Sequence, residues 1–163
     1  MTRVDIPKRA QGPASRYEGG VIADSMWEGF AQAIVRVELT DGPVVLVPRG
    51  EGVGEFPFHG PVHIITAYNP AGVQTHDATN RERHRELEHR VTPYDVLPTV
   101  GSDPGGSMPE PGYALLDVSL DTAVEIGHEF EQRAIYRWTH ESLSIIGVDE
   151  PIRLHLGWSL SPT

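Results

Sequence analysis

Val62-His63-Ile64-Ile65-Thr66-Ala67-Tyr68-Asn69-Pro70 is the stretch on which the fold turns. From Val62 to Tyr68 it is a near-continuous apolar run of strand length, which predicts a central strand buried on both faces. Pro70 lacks an N–H and cannot continue an interior ladder, so the strand ends at Asn69-Pro70. A polar loop follows, and Thr79-Asn80-Arg81-Glu82 fits the capping-box pattern that opens a helix. That helix is expected to run to about Val91 and to stop before Pro93. Asn80, His84, Leu87 and Val91 lie at i, i+4, i+7 and i+11, on one face. Leu87 and Val91 must meet the core, so Asn80 and His84 belong at its core-facing end, beside the loop that left the strand. The opposite face is charged, with Glu86 and Arg90 at ion-pair spacing.

Working outward, Ala33 to Leu39 alternates apolar and charged residues, as a half-buried strand does. Asp41-Gly42 then separates it from Val44 to Val47, a strong hairpin signal. Residues 1 to about 22 read as an irregular arm, and a short helix is expected near Asp24 to Phe30, capped by Asp24 or Ser25. Downstream, strands are expected over Tyr94 to Val100, Tyr113 to Val118, Ala134 to Trp138, Leu143 to Ile146 and, at an edge, Ile152 to Trp158. Ser119 or Asp121 caps a second main helix to about Glu131, with Gly127 letting it approach the sheet closely. The expected architecture is α+β, with one domain over residues 23–163. Its mixed, mostly antiparallel sheet has about six to eight strands, with two main helices on one face. Because each helix lies between strands, some parallel pairing is expected.

Composition narrows the function. The 163 residues carry a formal net charge of −10, and such a surface repels phosphate backbones and anionic membranes. No nucleic-acid or membrane partner is expected. No apolar run approaches the ~20 residues of a membrane span, and Met1 to Ser15 has no apolar core of a signal peptide. There are no cysteines, which removes disulfides, thiol nucleophiles and thiolate metal sites and fits a cytoplasmic location. Eight histidines are present, but none falls in HExxH spacing, and no metal site is assigned. No dinucleotide fingerprint, Walker lysine motif or GxSxG elbow occurs, so no cofactor is identified. Trp27, Trp138 and Trp158 read as packing residues.

Four polar residues remain where a core has no need of them. Asn69 ends the central strand, and Asn80 opens the buried face of the helix. Glu110 sits in a Pro/Gly loop before a strand, and Gln132 lies between a helix and a strand. Ligands in sheet proteins gather beyond strand ends and beside helix N-termini. Arg83, one turn into the helix, has the reach to hold an anion there. Against this stands the ordinary use of buried amides, which is to satisfy loop and cap backbone groups.

The run Ile65-Thr66-Ala67-Tyr68-Asn69-Pro70, then Asn80 with Leu87, then Pro109-Glu110-Pro111, then Phe130-Glu131-Gln132-Arg133-Ala134-Ile135-Tyr136 resembles the bacterial domain of unknown function 3293 family. The resemblance covers roughly Phe30 to Ser144. It implies that Asn69, Asn80, Glu110 and Gln132 are site residues, and it supplies no chemistry. Two departures stand out: Glu131 replaces the family's usual glycine, and His84 stands where asparagine is frequent. Two readings follow. In one, Glu110 is the acid or base of a metal-independent hydrolase or transferase for a small polar metabolite, anionic or nucleotide-like. Asn69, Asn80, His84 and Gln132 then orient that ligand, and Arg83 holds its charge. In the other, the same pocket belongs to a non-catalytic regulatory domain that binds a ligand or a protein partner.

Overall fold

The computed structural model describes residues 16–18, 25–49 and 55–163. Its elements in chain order are β1 (Arg16–Glu18), α1 (Ser25–Gln32), β2 (Ile34–Leu39), β3 (Gly42–Pro48), β4 (Val62–Thr66), a 3-10 turn (Pro70–Gly72) and α2 (Asp77–Val91). There follow β5 (Asp95–Ser102), β6 (Glu110–Leu116), α3 (Leu120–Glu129), β7 (Ala134–Trp138), β8 (Leu143–Gly147), β9 (Arg153–Leu156) and β10 (Trp158–Pro162). The ten strands form one sheet in the order β1-β9-β8-β7-β4-β6-β5-β2-β3-β10. The cap expected at Asp24 and most of the arm lie outside the described residues. Within the arm, Arg16–Glu18 is a strand that pairs with β9.

The α+β class, the mostly antiparallel sheet and its two main helices are borne out. Every hydrogen-bonded neighbour among the described strands is antiparallel. The expected parallel pairing fails for a topological reason. Helix α2 carries the chain from β4 to β5, but β6 is inserted between them; α3 carries it from β6 to β7, with β4 between. Each helical crossover therefore links parallel strands that are next neighbours but one, and the intervening strand supplies antiparallel hydrogen bonds to both.

A single residue, Gly157, separates β9 from β10, yet these strands stand near opposite ends of the sheet order. The sheet can satisfy both pairings only by curling into a nearly closed barrel. Two faces result. The concave face packs Val35, Leu46, Val62, Ile64, Trp138, Leu143 and Trp158 into the barrel interior. Helix α1 packs on the same side, with Trp27 and Ala31 against Ala134, Ile145, Leu154 and Leu156. On the convex face, α2 and α3 cover Ile65, Leu115, Ile135 and Ile146 with Leu87, Val91, Ala123 and Ile126. All three tryptophans are core residues, at 2% exposure or less.

Local expectations were met unevenly. Ser119 Oγ accepts the Thr122 N–H and caps α3. A Cβ on Gly127 would come within 3.0 Å of Ile135 and Val148, so this helix does need glycine to lie so near the sheet. Helix α2 instead starts at Asp77, with no side-chain cap at His76, so Thr79 and Glu82 fall inside the helix and form no capping box. Arg90 makes its ion pair with Glu129 of α3 through two hydrogen bonds of 2.8 and 3.0 Å, tying the two helices side by side. No helix among the described residues is long and apolar enough to cross a membrane.

Gly112 of β6 marks a sharp approach of β4, where an added Cβ would collide with the Ile65 carbonyl oxygen. Gly112→Ala should lower stability by about 2–3 kcal/mol, read from the urea midpoint. His63 is 1% exposed, and burial, helped by Arg137, pushes its imidazole down to about 4. Because its folded-state value lies below the unfolded 6.5, stability is complete above pH 6.5 and falls as pH drops toward 4. His63→Phe should flatten that acid limb in a series of thermal melts.

Candidate functional site

Beyond β4 the chain makes a left-handed elbow. Asn69 has φ 50° and ψ 63°, a conformation that asparagine tolerates better than most residues. Hydrogen bonds hold it there. The Asn69 N–H donates to Asn80 Oδ1 at 2.9 Å, and Asn80 Nδ2 donates back to Asn69 Oδ1 at 3.0 Å. Asn80 Nδ2 also donates to the Thr75 carbonyl, while the Thr75 N–H donates to Asn69 Oδ1. Asn80, 3% exposed, is thus fully occupied in fastening the start of α2 to the end of β4. Asn69 keeps one working group: its Nδ2 donates to Glu110 Oε1 at 2.6 Å.

Glu110 is the first residue of β6, opposite Gly101 of β5, rather than a loop residue. It shares the inner face with Gly101, whose missing side chain leaves open space beside the Glu110 backbone. Burial pushes the Glu110 carboxyl above the usual carboxylate range, and the Asn69 amide works weakly in the opposite direction. Tyr136 of β7 faces the same space. Its hydroxyl donates to the Phe30 carbonyl of α1 at 2.7 Å, and burial, then the charge of Glu110, raise its pKa.

Gln132 follows α3 and is 7% exposed. Its N–H donates to the Gly127 carbonyl at the helix exit. Its Nε2 donates to the carbonyls of Tyr68 and Phe130 at 3.0 and 3.2 Å. Both neighbours are acceptors, so the amide orientation is determined, and Oε1 is left without a partner among the described residues.

These residues border a cavity of about 380 Å³ at the mouth of the barrel, under α1. Asn69, Glu110 and Gln132 line it together with Thr66, Phe30 and Tyr136. Asn80, Arg83 and His84 do not. Arg83, expected to hold an anion, is spent on the elbow: Nε donates to the Ala67 carbonyl at 2.9 Å and Nη2 to the Phe130 carbonyl at 2.5 Å, with Glu131 at 3.4 Å. His84 stacks on Tyr113 at 5.2 Å, and burial lowers its pKa against the pull of Glu88. It packs behind the site. Arg133, which lines the cavity, donates to Glu150 at 2.9 Å and lies over the Trp27 ring at 5.4 Å. Tyr136 and Phe30 went unnoticed in the sequence because an inward aromatic on a strand or helix reads as core. The signal was Tyr136 alternating inward two residues beyond Ala134, in the same block as Gln132. No group of three metal-ligating side chains gathers among the described residues.

The family described as "Protein of unknown function (DUF3293)" matches residues 65–135, so the resemblance drawn from the motifs is borne out over that stretch. This span runs from the end of β4 to the start of β7 and contains Asn69, Asn80, Glu110 and Gln132. No curated protein and no solved structure matches the chain.

The departure at residue 131 has a backbone explanation. Glu131 has φ 56°, and its carbonyl accepts the N–H of Ala71, itself at φ 55°. A glycine there avoids the left-handed cost, which is about 1–2 kcal/mol for other residues. Glu131→Gly should therefore raise stability by about 1 kcal/mol, the exposed contact with Arg83 adding little. Asn80→Ala should cost about 2–3 kcal/mol by stranding the Asn69 N–H and the Thr75 carbonyl. Thermal melts of both variants check these values, and a loss of stability in Glu131→Gly would refute the backbone explanation.

Proposed function

We propose that this chain, matched from residue 65 to residue 135 by a family without an assigned activity, uses the cavity under α1 as a small-molecule site in which Glu110 is the general acid or base. The observation that carries the reading is the setting of Glu110. It is a half-buried carboxylate on the inner rim of a cavity, oriented by Asn69 through one oxygen, while its second oxygen has no partner among the described residues. A carboxylic acid with a raised pKa is better suited than an ordinary one to give and take protons. Gln132 Oε1 supplies a fixed acceptor on the wall, and Phe30 and Tyr136 supply apolar surface. Asn80 and Arg83 are positioning residues that hold the elbow. The chemistry is proton transfer in hydrolysis or group transfer on a small polar metabolite, in a bacterial cytoplasm.

A second reading, a ligand-binding regulatory domain without turnover, draws on one observation. The amide nitrogens of Asn80 and Gln132 are all used by backbone carbonyls or Asn69, leaving Glu110 as the one carboxylate held inside the rim. Glu110→Gln separates the two. The glutamine keeps the Oε1 acceptor for Asn69, so metabolites found by thermal shift should still bind. Turnover should fall about 10²–10⁴-fold. Undiminished turnover would remove Glu110 from the chemistry; bound metabolites that are never converted favour the regulatory domain.

Stability gives an independent check. The folded-state pKa of Glu110 lies above its unfolded value, so its contribution is favourable in acid and is lost as pH rises through the folded-state value. Glu110→Gln should be more stable than the parent at pH 8, by about 1 kcal/mol, with the gap closing in acid melts.

A further inference from the structure

We infer that the cavity selects a ligand bearing a cationic nitrogen, an ammonium or amidinium, on a compact apolar body. This rests on the reading of the cavity as a small-molecule site and names the class of molecule that enters it.

The hydrogen-bonding capacity left at the cavity decides the head group. Glu110 Oε1 already accepts from Asn69, and its Oε2 has no partner among the described residues. Gln132 Oε1 is likewise left over, because both N–H groups of that amide go to carbonyls. Neither oxygen is a sealed interior atom, so both are reachable from the cavity. Two hydroxyls on the wall are committed. Thr66 Oγ donates to the Pro111 carbonyl and accepts the Tyr68 N–H, and the Tyr136 hydroxyl donates to Phe30. The donors left on the wall, one N–H of Asn69 beside the carboxylate and the amide and hydroxyl of Gln74 and Thr99, are all uncharged. The open oxygens of Glu110 and Gln132 call for donors from a ligand, and a charged donor matches the carboxylate best.

Electrostatics agree with this valence count. Arg83, which an anionic ligand would need, is turned away onto the carbonyls of Ala67 and Phe130. The guanidinium of Arg133 is held by Glu150 and Trp27. Asp103 adds a second carboxylate at the mouth, and the chain as a whole carries −10. Such a field repels anions and concentrates cations. The Phe30 and Tyr136 rings, with centroids 6.2 Å apart, give a cation faces on which to rest.

The apolar body follows from volume and from the rim. A cavity of about 380 Å³ is at the small end for ligand sites, which span roughly 300–1,000 Å³. Among the described residues, the exposed large hydrophobic residues, Val73 at 64% and Met108 at 60%, flank its opening, one beside Gly72 and Gln74, the other on the wall itself. Hydrophobic exposure in that one place fits a molecule whose apolar end emerges there.

The test uses three probes of one shape: 2-phenylethylamine, 2-phenylethanol and 3-phenylpropionate. Each is titrated calorimetrically into the full chain at pH 8. The amine should bind most tightly, the alcohol less and the carboxylate least. Glu110→Gln should weaken the amine at least tenfold while leaving the alcohol within about twofold, a difference of about 1.4 kcal/mol for the amine. Gly101→Val is the second variant. An added Cβ at Gly101 would have the Glu110 carbonyl oxygen, 3.9 Å away, as its nearest neighbour, so valine projects into cavity space and should block all three probes without altering charge. Equal binding of amine and carboxylate, or amine binding untouched by either variant, would overturn the cationic class and leave a small-molecule site of another chemistry. Binding of no probe would also overturn it; the small-molecule site itself is decided separately, by the metabolite screen and the turnover of Glu110→Gln.

Discussion

The reciprocal pairing of Asn69 with Asn80 is the interaction on which the site depends. It holds a non-glycine residue in the left-handed region at the end of β4 and turns the chain from sheet to helix. The same elbow aims the Asn69 amide at Glu110 and leaves the Ala67 and Phe130 carbonyls to be collected by Arg83. Four groups that look like ligand contacts thus divide into two kinds. Asn80 and Arg83 are consumed in building the elbow. Glu110 and Gln132 retain valences after the building is done.

That division was legible only in part. The face shared by Asn80, Leu87 and Val91 follows from helical periodicity alone, and the structure buries all three. The convergence of Asn69, Glu110 and Gln132 was signalled by polar residues at element ends. What Asn80 does there could not be read, because its partners lie at Asn69 and Thr75, outside the repeat of its own helix. Arg83 shows the same gap. Its position gives reach, but which carbonyls lack partners is a tertiary fact, and two bare carbonyls outcompete a hypothetical anion. The split of the tail at Gly157 was hidden by an apolar alternation, Ile152, Leu154, Leu156 and Trp158, that runs straight through it. Nothing local distinguishes one bent strand from two that serve different neighbours.

Strain and space are concentrated in the same place. Asn69, Ala71 and Glu131 all have positive φ without being glycine, and they meet around the elbow. Nearby, Gly101 withholds the side-chain volume that fills the rest of the barrel. A sheet optimised for packing alone would close this end with aliphatic residues, as it does around Trp138 and Trp158. A half-buried carboxylate and a costly backbone lie beside an unfilled volume, and each costs stability that packing alone would not require.

Gly157 has a consequence for the order in which this chain assembles. Trp158 to Pro162 lie along Pro48 to Val44, so the pairing that completes the curled sheet joins regions far apart in sequence, whereas β2 with β3 and β7 with β8 are local hairpins. Long loops are entropically slow to close, and local pairs form first. On the ribosome, β3 must wait with an open edge until nearly all of the described chain has emerged. The cavity, whose floor borrows residues from both halves of the barrel, then takes its final shape as one of the last acts of folding.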